Sequence, residues 1–258
     1  LGVKAKGKVA VKISTGEPGG KNYLKPELIG KLVKKVKGTI VECNTAYGGR
    51  RSSTAEHLKA AREHGFFEIA DVDIMDSAGD MIIPVKDTAR IKHNIVGANL
   101  KNYDFMINLA HFKGHEMTGF GGAIKNIGMG CGSRAGKCEQ HISGKTEIDQ
   151  ELCRGCKRCM FQCANNALVY NKETMKMSVN TENCVGCGRC IAACNFDAIS
   201  SSDYHAPQLL NYKMAEYAKA VIDGRPNFHI SLVLDISPNC DCHPENDAPI
   251  LPNIGMFV

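Results

Sequence analysis

The sequence predicts an α/β fold: an open, mostly parallel sheet with helices on both faces, interrupted by a small inserted α+β unit. Three observations carry this. Strand-like and helix-like patterns alternate through the first 65 residues, an order that favours parallel strands joined by helical crossovers. The same alternation resumes after residue 203. Between them, residues 146–202 carry eight of the 13 cysteines. The expected division is therefore 1–145 and 203–258 as two parts of one α/β domain, with 146–202 inserted.

The elements follow in order. Residues 8–14 (KVAVKIS) alternate as a strand does and run into a polar loop, 15–20. Pro26 suits the first turn of a helix. Leu28, Ile29, Leu32, Val33 and Val36 make one apolar stripe on it, closed by Gly38. A strand over 39–43 leads into a second polar loop, 44–51. Ser53 and Glu56 read as a capping box for a helix through His64, which Gly65 stops. Residues 66–100 are less regular and hold short strand-like runs. Residues 104–110 (DFMINLA) read as a buried strand. The next stretch, 111–141, has eight glycines and is expected to be a long loop with short helical pieces. A loop of that length inside a compact domain is usually functional. A helix over 206–223, ended by Gly224, and a strand over 228–236 complete the pattern.

Composition bounds the function. With 258 residues, 43% hydrophobic and 23% charged, the chain can bury a full core and is not disordered. The net charge, 32 − 27 = +5, comes from dispersed lysines, and no dense basic block argues for nucleic acid. No apolar run approaches a membrane span, and residues 1–12 lack a signal-peptide core, so the expected location is cytoplasmic with no membrane partner. Thirteen cysteines in such a chain read as metal ligands rather than a disulfide scaffold. There is no G-x-G-x-x-G after the first strand and no P-loop, so NAD and ATP are not implied.

Within the insert, Cys153, Cys156, Cys159 and Cys163 follow C-x2-C-x2-C-x3-C, and Cys184, Cys187, Cys190 and Cys194 repeat it 31 residues later. Three cysteines spaced by two wrap one face of a cubane, and the fourth reaches the neighbouring cluster. The expected sets are Cys153, Cys156, Cys159 and Cys194 for one [4Fe-4S] cluster, and Cys184, Cys187, Cys190 and Cys163 for the other. Zinc ribbons use two C-x2-C pairs per metal and do not match groups of four. The block resembles the bacterial two-cluster ferredoxins over about 55 residues. It departs from them in having Ala164 and Asn195, not proline, after each fourth cysteine. The cofactors expected are two [4Fe-4S] clusters serving electron transfer.

Outside the insert, chemistry-bearing residues collect after strands: Glu17, then Asn44 and Arg50, then His111, Lys113 and His115, with Gly121, Gly122 and Lys125 just beyond. In an open parallel sheet these strand ends form the ligand crevice, although loop polar residues are often merely solvated. His111, His115 and Lys125 are the candidate catalytic residues. Glu17, Asn44, Arg50, Gly121 and Gly122 are candidate binding residues for a small anionic substrate.

Four segments, VAVKISTGEPG (9–19), NTAYGGRRS (44–52), HFKGHEMTGFGGAIKNIGMGCGSRAGK (111–137) and NCDC…DAPILPNIGMF (239–257), together resemble a family catalogued as domain of unknown function 362. The resemblance implies an α/β domain with a two-cluster insert, no assigned reaction, and a chain trimmed at both ends. Gly119–Lys125 is also similar to the Gly-Gly-x-Lys segment of nickel-pincer lactate racemases. That implies Lys125 as the attachment point and His111 or His115 as ligand or base. Read from the residues alone, the glycines let the loop turn tightly and Lys125 ion-pairs or binds an anion. Cys240-Asp241-Cys242-His243 is too tight for a standard zinc pair, and an extra metal site there would recruit Cys131 or Cys138.

The leading expectation is an iron–sulfur electron-transfer protein feeding a redox site in the α/β domain. One alternative is a non-catalytic carrier or scaffold for a redox partner protein. The second is a nickel-pincer-like isomerase.

Overall fold

The computed structural model describes residues 4–258 apart from Gly48, Asp87, Lys92, 142–144, Ala164, Val185, 187–188, Tyr204 and 243–247; of Arg189 and Ala192 it describes the backbone. The first half runs β1 (Val9–Lys12), α1 (Pro26–Lys35), β2 (Thr39–Glu42), α2 (Thr54–Glu63), β3 (Val72–Ile74), β4 (Asp80–Ile83), β5 (Asn94–Gly97) and β6 (Phe105–His111). Then come β7 (Lys113–His115), β8 (Gly119–Gly121), α3 (Ala123–Cys131) and α4 (Arg134–His141). The cysteine-rich block holds β9 (Thr146–Ile148), α5 (Arg158–Gln162), β10 (Leu168–Asn171), β11 (Lys176–Val179), α6 (Arg189–Ala192) and β12 (Ile199–Ser201). The chain ends with α7 (Ala206–Ile222), β13 (Asn227–Val233) and β14 (Gly255–Phe257).

Six strands form the main sheet in the order β14-β13-β6-β1-β2-β3. All neighbours are parallel except the β13–β14 pair. The expected α/β class with a mostly parallel sheet therefore stands. From β1 the chain steps outward to β2 and β3, then returns to the other side of β1 as β6. That reversal is a topological switch, and the crevice beside it is where open α/β sheets bind ligands.

Period-two alternation divides β1 between two cores. Val9, Val11 and Ile13 pack with Ile29 and Val33 of α1 and Ala61 of α2. Ala10, with Val41 and Met106, faces Ile127 of α3 and Ala218 and Val221 of α7. Helices thus cover both faces. Gly128 lets α3 approach α7: a Cβ there would stand 2.2 Å from the Met214 carbonyl oxygen.

Two expectations change. Residues 111–141 are not a long loop: β7 and β8 pair antiparallel, and α3 and α4 follow. The apolar residues Ile127 and Cys131 lie on one buried side of α3, and this burial outweighs the poor helix propensity of the glycines. The Ser53–Glu56 capping box also fails to form. Ser53 precedes α2 without a side-chain cap bond, and Glu56 accepts from Arg50 Nε at 3.1 Å instead.

The cysteine-rich block has its own apolar cluster, around Leu168, Met177 and Ile199, and two small sheets, β10–β11 and β9–β12. Among the described residues, no helix is long and apolar enough to cross a membrane.

Candidate functional site

The ends of β1, β2 and β6 converge, as the parallel register requires, on a cavity of about 110 Å³. Lys12 and Ser14 reach it from β1 and the residues just after it, Glu42 and Cys43 from β2, and Lys113 from β7 just beyond β6. Gly121 and Gly122 enter from the turn between β8 and α3, Lys125 from the first turn of α3, and His115, Glu116, Lys137 and His141 also line it.

The wall is rich in cations. Arg51 is buried and donates from Nε to Glu17 at 2.9 Å, from one terminal nitrogen to Glu42 at 3.3 Å, and from the other to the Tyr47 hydroxyl at 2.9 Å. Glu42 also accepts from the Thr15 amide at 2.9 Å and the Thr15 hydroxyl at 2.6 Å. Burial opposes its ionisation, but Arg51, then His57 and Lys12, outweigh it and hold its pKa well below the ordinary range. Lys113 donates to Asp241 at 2.8 Å. Three other ammonium groups hydrogen-bond to neutral atoms: Lys12 to Asn126 Oδ1 at 2.9 Å, Lys137 to the Gly132 carbonyl at 2.6 Å, and Lys125 to Cys240 Sγ at 3.1 Å. Burial works against the charge on Lys125, while Cys240, Cys242 and Glu116 favour it, and the balance raises its pKa. Lys12 is lowered, chiefly by burial. A Cβ at residue 130 would stand 2.5 Å from Lys12 Nζ, so Gly130 makes room for this ammonium group.

Two imidazoles line the cavity with opposite hydrogen-bonding roles. His115 Nδ1 accepts from the amides of Met117 at 3.1 Å and Thr118 at 3.2 Å, which puts its proton on Nε2. His141 hydrogen-bonds to the backbone of Gly186, and its buried Nδ1 has no partner among the described residues. With the proton on Nε2, that Nδ1 carries an open lone pair. Burial, then Lys125, lowers both rings: His115 falls well below 6.5 and His141 to about 4. Both are neutral near pH 7.

Of the expected site residues, His115, Lys125, Gly121 and Gly122 line the cavity. His111 does not; its ring spans Asp241, at 3.0 Å from Nδ1, and the Leu234 carbonyl, at 2.7 Å from Nε2. Glu17 stands behind Arg51. Asn44 is held by Thr54 and His57, at 3.0 and 3.2 Å. Arg50 turns outward to Glu63 and Glu56, and its neighbour Arg51 takes the inward place. The residues that sequence reasoning passes over are Lys12, Glu42, Lys137 and His141. A lysine and a glutamate at the ends of otherwise apolar strands were the available signals for the first two.

The first expected cysteine set, Cys153, Cys156, Cys159 and Cys194, lines one small cavity of about 20 Å³. Of the second set, Cys163, Cys184 and Cys190 share one apolar cluster. Cys187 lies outside the described residues, as does His243 of the possible extra site with Cys240 and Cys242. Among the described residues, no group of three or more His, Cys, Asp or Glu side chains is arranged to hold a metal ion.

No curated protein matches. A solved structure with a similar fold is the lactate racemase apoprotein from Thermoanaerobacterium thermosaccharolyticum, at TM-score 0.46 and 15% identity over 90% of this chain. The chain spans 43% of that protein's length. A family profile, described as domain of unknown function (DUF362), matches residues 9–258. Among the described residues, the cysteines form no group arranged to hold a metal ion. The expectation of an iron–sulfur, ferredoxin-type electron-transfer function is corrected accordingly. The match over nearly the whole chain makes the protein a member of the DUF362 family.

Proposed function

We propose that the chain is an isomerase-type enzyme that binds a small carboxylate in the strand-end cavity and moves hydrogen at the carbon beside it. The observation that carries this is the pair of neutral imidazoles of opposite polarity in one cation-rich cavity. Lys12, Lys125 and Lys137 supply the charge that a carboxylate answers. His115 Nε2–H donates to a ligand oxygen, as a neutral imidazole does when it polarises a carbonyl. His141 Nδ1 accepts the proton of the ligand's hydroxyl group.

Lys125 and His141 line the same cavity, although no three His, Cys, Asp or Glu side chains among the described residues are arranged there to hold a bare metal ion. What answers the Gly-Gly-x-Lys resemblance is Lys125 beside Gly121 and Gly122 at the cavity wall: Lys125 would hold the nucleotide-derived nickel group and His141 would serve it from the same cavity. Bound there, such a group would supply an acceptor for the hydrogen being moved.

The test uses the two enantiomers of lactate, the simplest chiral 2-hydroxy acid, each incubated separately with the protein and followed by chiral chromatography. Each should convert to the other. His141→Gln should slow this at least ~100-fold, with thermal unfolding still cooperative. Absence of inversion together with absence of carboxylate binding, or full activity in both His141→Gln and His115→Gln, would overturn the reading.

A further inference from the structure

The chain after β13 turns back over the cavity with Cys240-Asp241-Cys242. Asp241 is buried and anchors the turn, accepting from Lys113 at 2.8 Å and facing His111 Nδ1 at 3.0 Å, while its carbonyl accepts from the Glu17 amide at 3.2 Å. With the middle residue pinned in this way, the flanking side chains both line the cavity. Cys240 and Cys242 are reduced and hydrogen-bond to each other. Residues i and i+2 in a turn lie within the ~4.4–6.8 Å between Cα atoms that a disulfide spans. Lys125 Nζ donates to Cys240 Sγ at 3.1 Å. Two touching thiols, a fixed turn and an ammonium group on one sulfur are the parts of a dithiol centre.

We infer that Cys240 and Cys242 form a redox-active dithiol that reduces a small hydroperoxide entering the cavity and closes to a disulfide across Asp241. The hydrogen bond to Cys242, ahead of burial, raises the Cys240 thiol well above its ordinary range. Lys125 engages Cys240 Sγ, the place where charge develops in the closing step, so Cys242 is assigned the first attack. Its S–H proton leaves as the sulfur displaces the outer peroxide oxygen, giving a sulfenic acid on Cys242 and one molecule of water from hydrogen peroxide. Cys240 then attacks the Cys242 sulfur. The S–O bond breaks, the Cys240 proton goes to the departing hydroxyl, and a second water forms. Two thiols are oxidised and one peroxide is reduced. Lys125 stabilises the charge that develops on Cys240 during this second attack.

The inference uses the cavity but not the isomerase reading, and its readout does not involve a carboxylate. After Lys219, Arg225 is the single Lys or Arg in the chain, and Pro226 follows it, so trypsin releases residues 220–258 as one peptide. That peptide holds Cys240 and Cys242 and no other cysteine. The reduced full chain is treated with a few equivalents of hydrogen peroxide, alkylated and digested. The peptide should lose two hydrogen atoms and escape alkylation, and reduction should restore two alkylated sites. In Cys240→Ser, Cys242 should give a dimedone-trapped sulfenic acid, and in Lys125→Met disulfide closure should slow ~10-fold. Two alkylated cysteines after peroxide, or a sulfinic acid on either without a disulfide, would overturn the inference. Because the wild-type measurement needs no variant, misfolding of a variant does not blunt the test.

Discussion

His141 ties the site to the stability of the fold. Its folded pKa of about 4 against an ordinary 6.5 means that the native ring stays neutral where the unfolded ring takes up a proton. The folded value is the depressed one. The associated stability is therefore present above pH 6.5 and is lost as pH falls toward 4. The gap corresponds to about 3 kcal/mol. His115, also lowered by burial, adds a loss of the same sign. Asp241, held at about 2 against burial by Lys113 and His111, keeps its contribution until lower pH. Urea unfolding at pH 7 and pH 4.5 should show this loss in the wild type. In His141→Gln the loss should be smaller by roughly 2–3 kcal/mol. Equal acid sensitivity in the two proteins would mean that the ring is not held neutral.

Among the elements, α3 shows where sequence reasoning succeeds and where it stops. The strands announce themselves by alternation, so Val9 and Val11 on one face and Ala10 on the other were legible, as were the stripes of α1 and α7. α3 was not, because Gly128 and Gly130 read locally as loop residues. Their value is tertiary: one admits the Met214 carbonyl, the other the Lys12 ammonium group. The site shows the same division. Placing the crevice at the strand ends follows from topology, and Lys125, His115 and the two glycines beside them were found that way. Choosing Arg51 over Arg50, or His141 over His111, depends on which way a side chain turns, which spacing does not encode. The α3 argument can be tested directly. Gly128→Ala puts a methyl group against a carbonyl oxygen that α7 cannot withdraw without shifting, and should cost roughly 1–3 kcal/mol. An unchanged urea midpoint would show that the two helices are not in close contact.

At the scale of the whole molecule, the cysteine-rich block is joined to the α/β body as a hairpin is joined to its base. Its first and last strands pair, with Thr146 opposite Ser201. Just outside them, the Lys145 amide donates to Ser202 Oγ at 2.7 Å and the Ser202 amide donates to the Lys145 carbonyl at 2.6 Å. The two chain ends at the junction are therefore neighbours, and a two- or three-glycine linker spans the gap left by removing residues 146–201. The block's apolar cluster is separate from the two cores of the main sheet, so its removal opens no cavity in either. The deletion variant should unfold cooperatively. The cost should appear at the cavity instead. Gly186 is the backbone partner of His141, and Cys184 accepts from Lys145 Nζ at 2.6 Å. Without Gly186, no other described residue hydrogen-bonds His141 to fix which nitrogen carries the proton, and the lost hydrogen bond is worth about 1 kcal/mol. The variant should keep its far-ultraviolet circular dichroism and a single thermal transition, while its affinity for a carboxylate changes little and its turnover falls by at least ~10-fold. An aggregating product without a transition would show that the block completes the core. Unchanged turnover would show that His141 needs no partner from it.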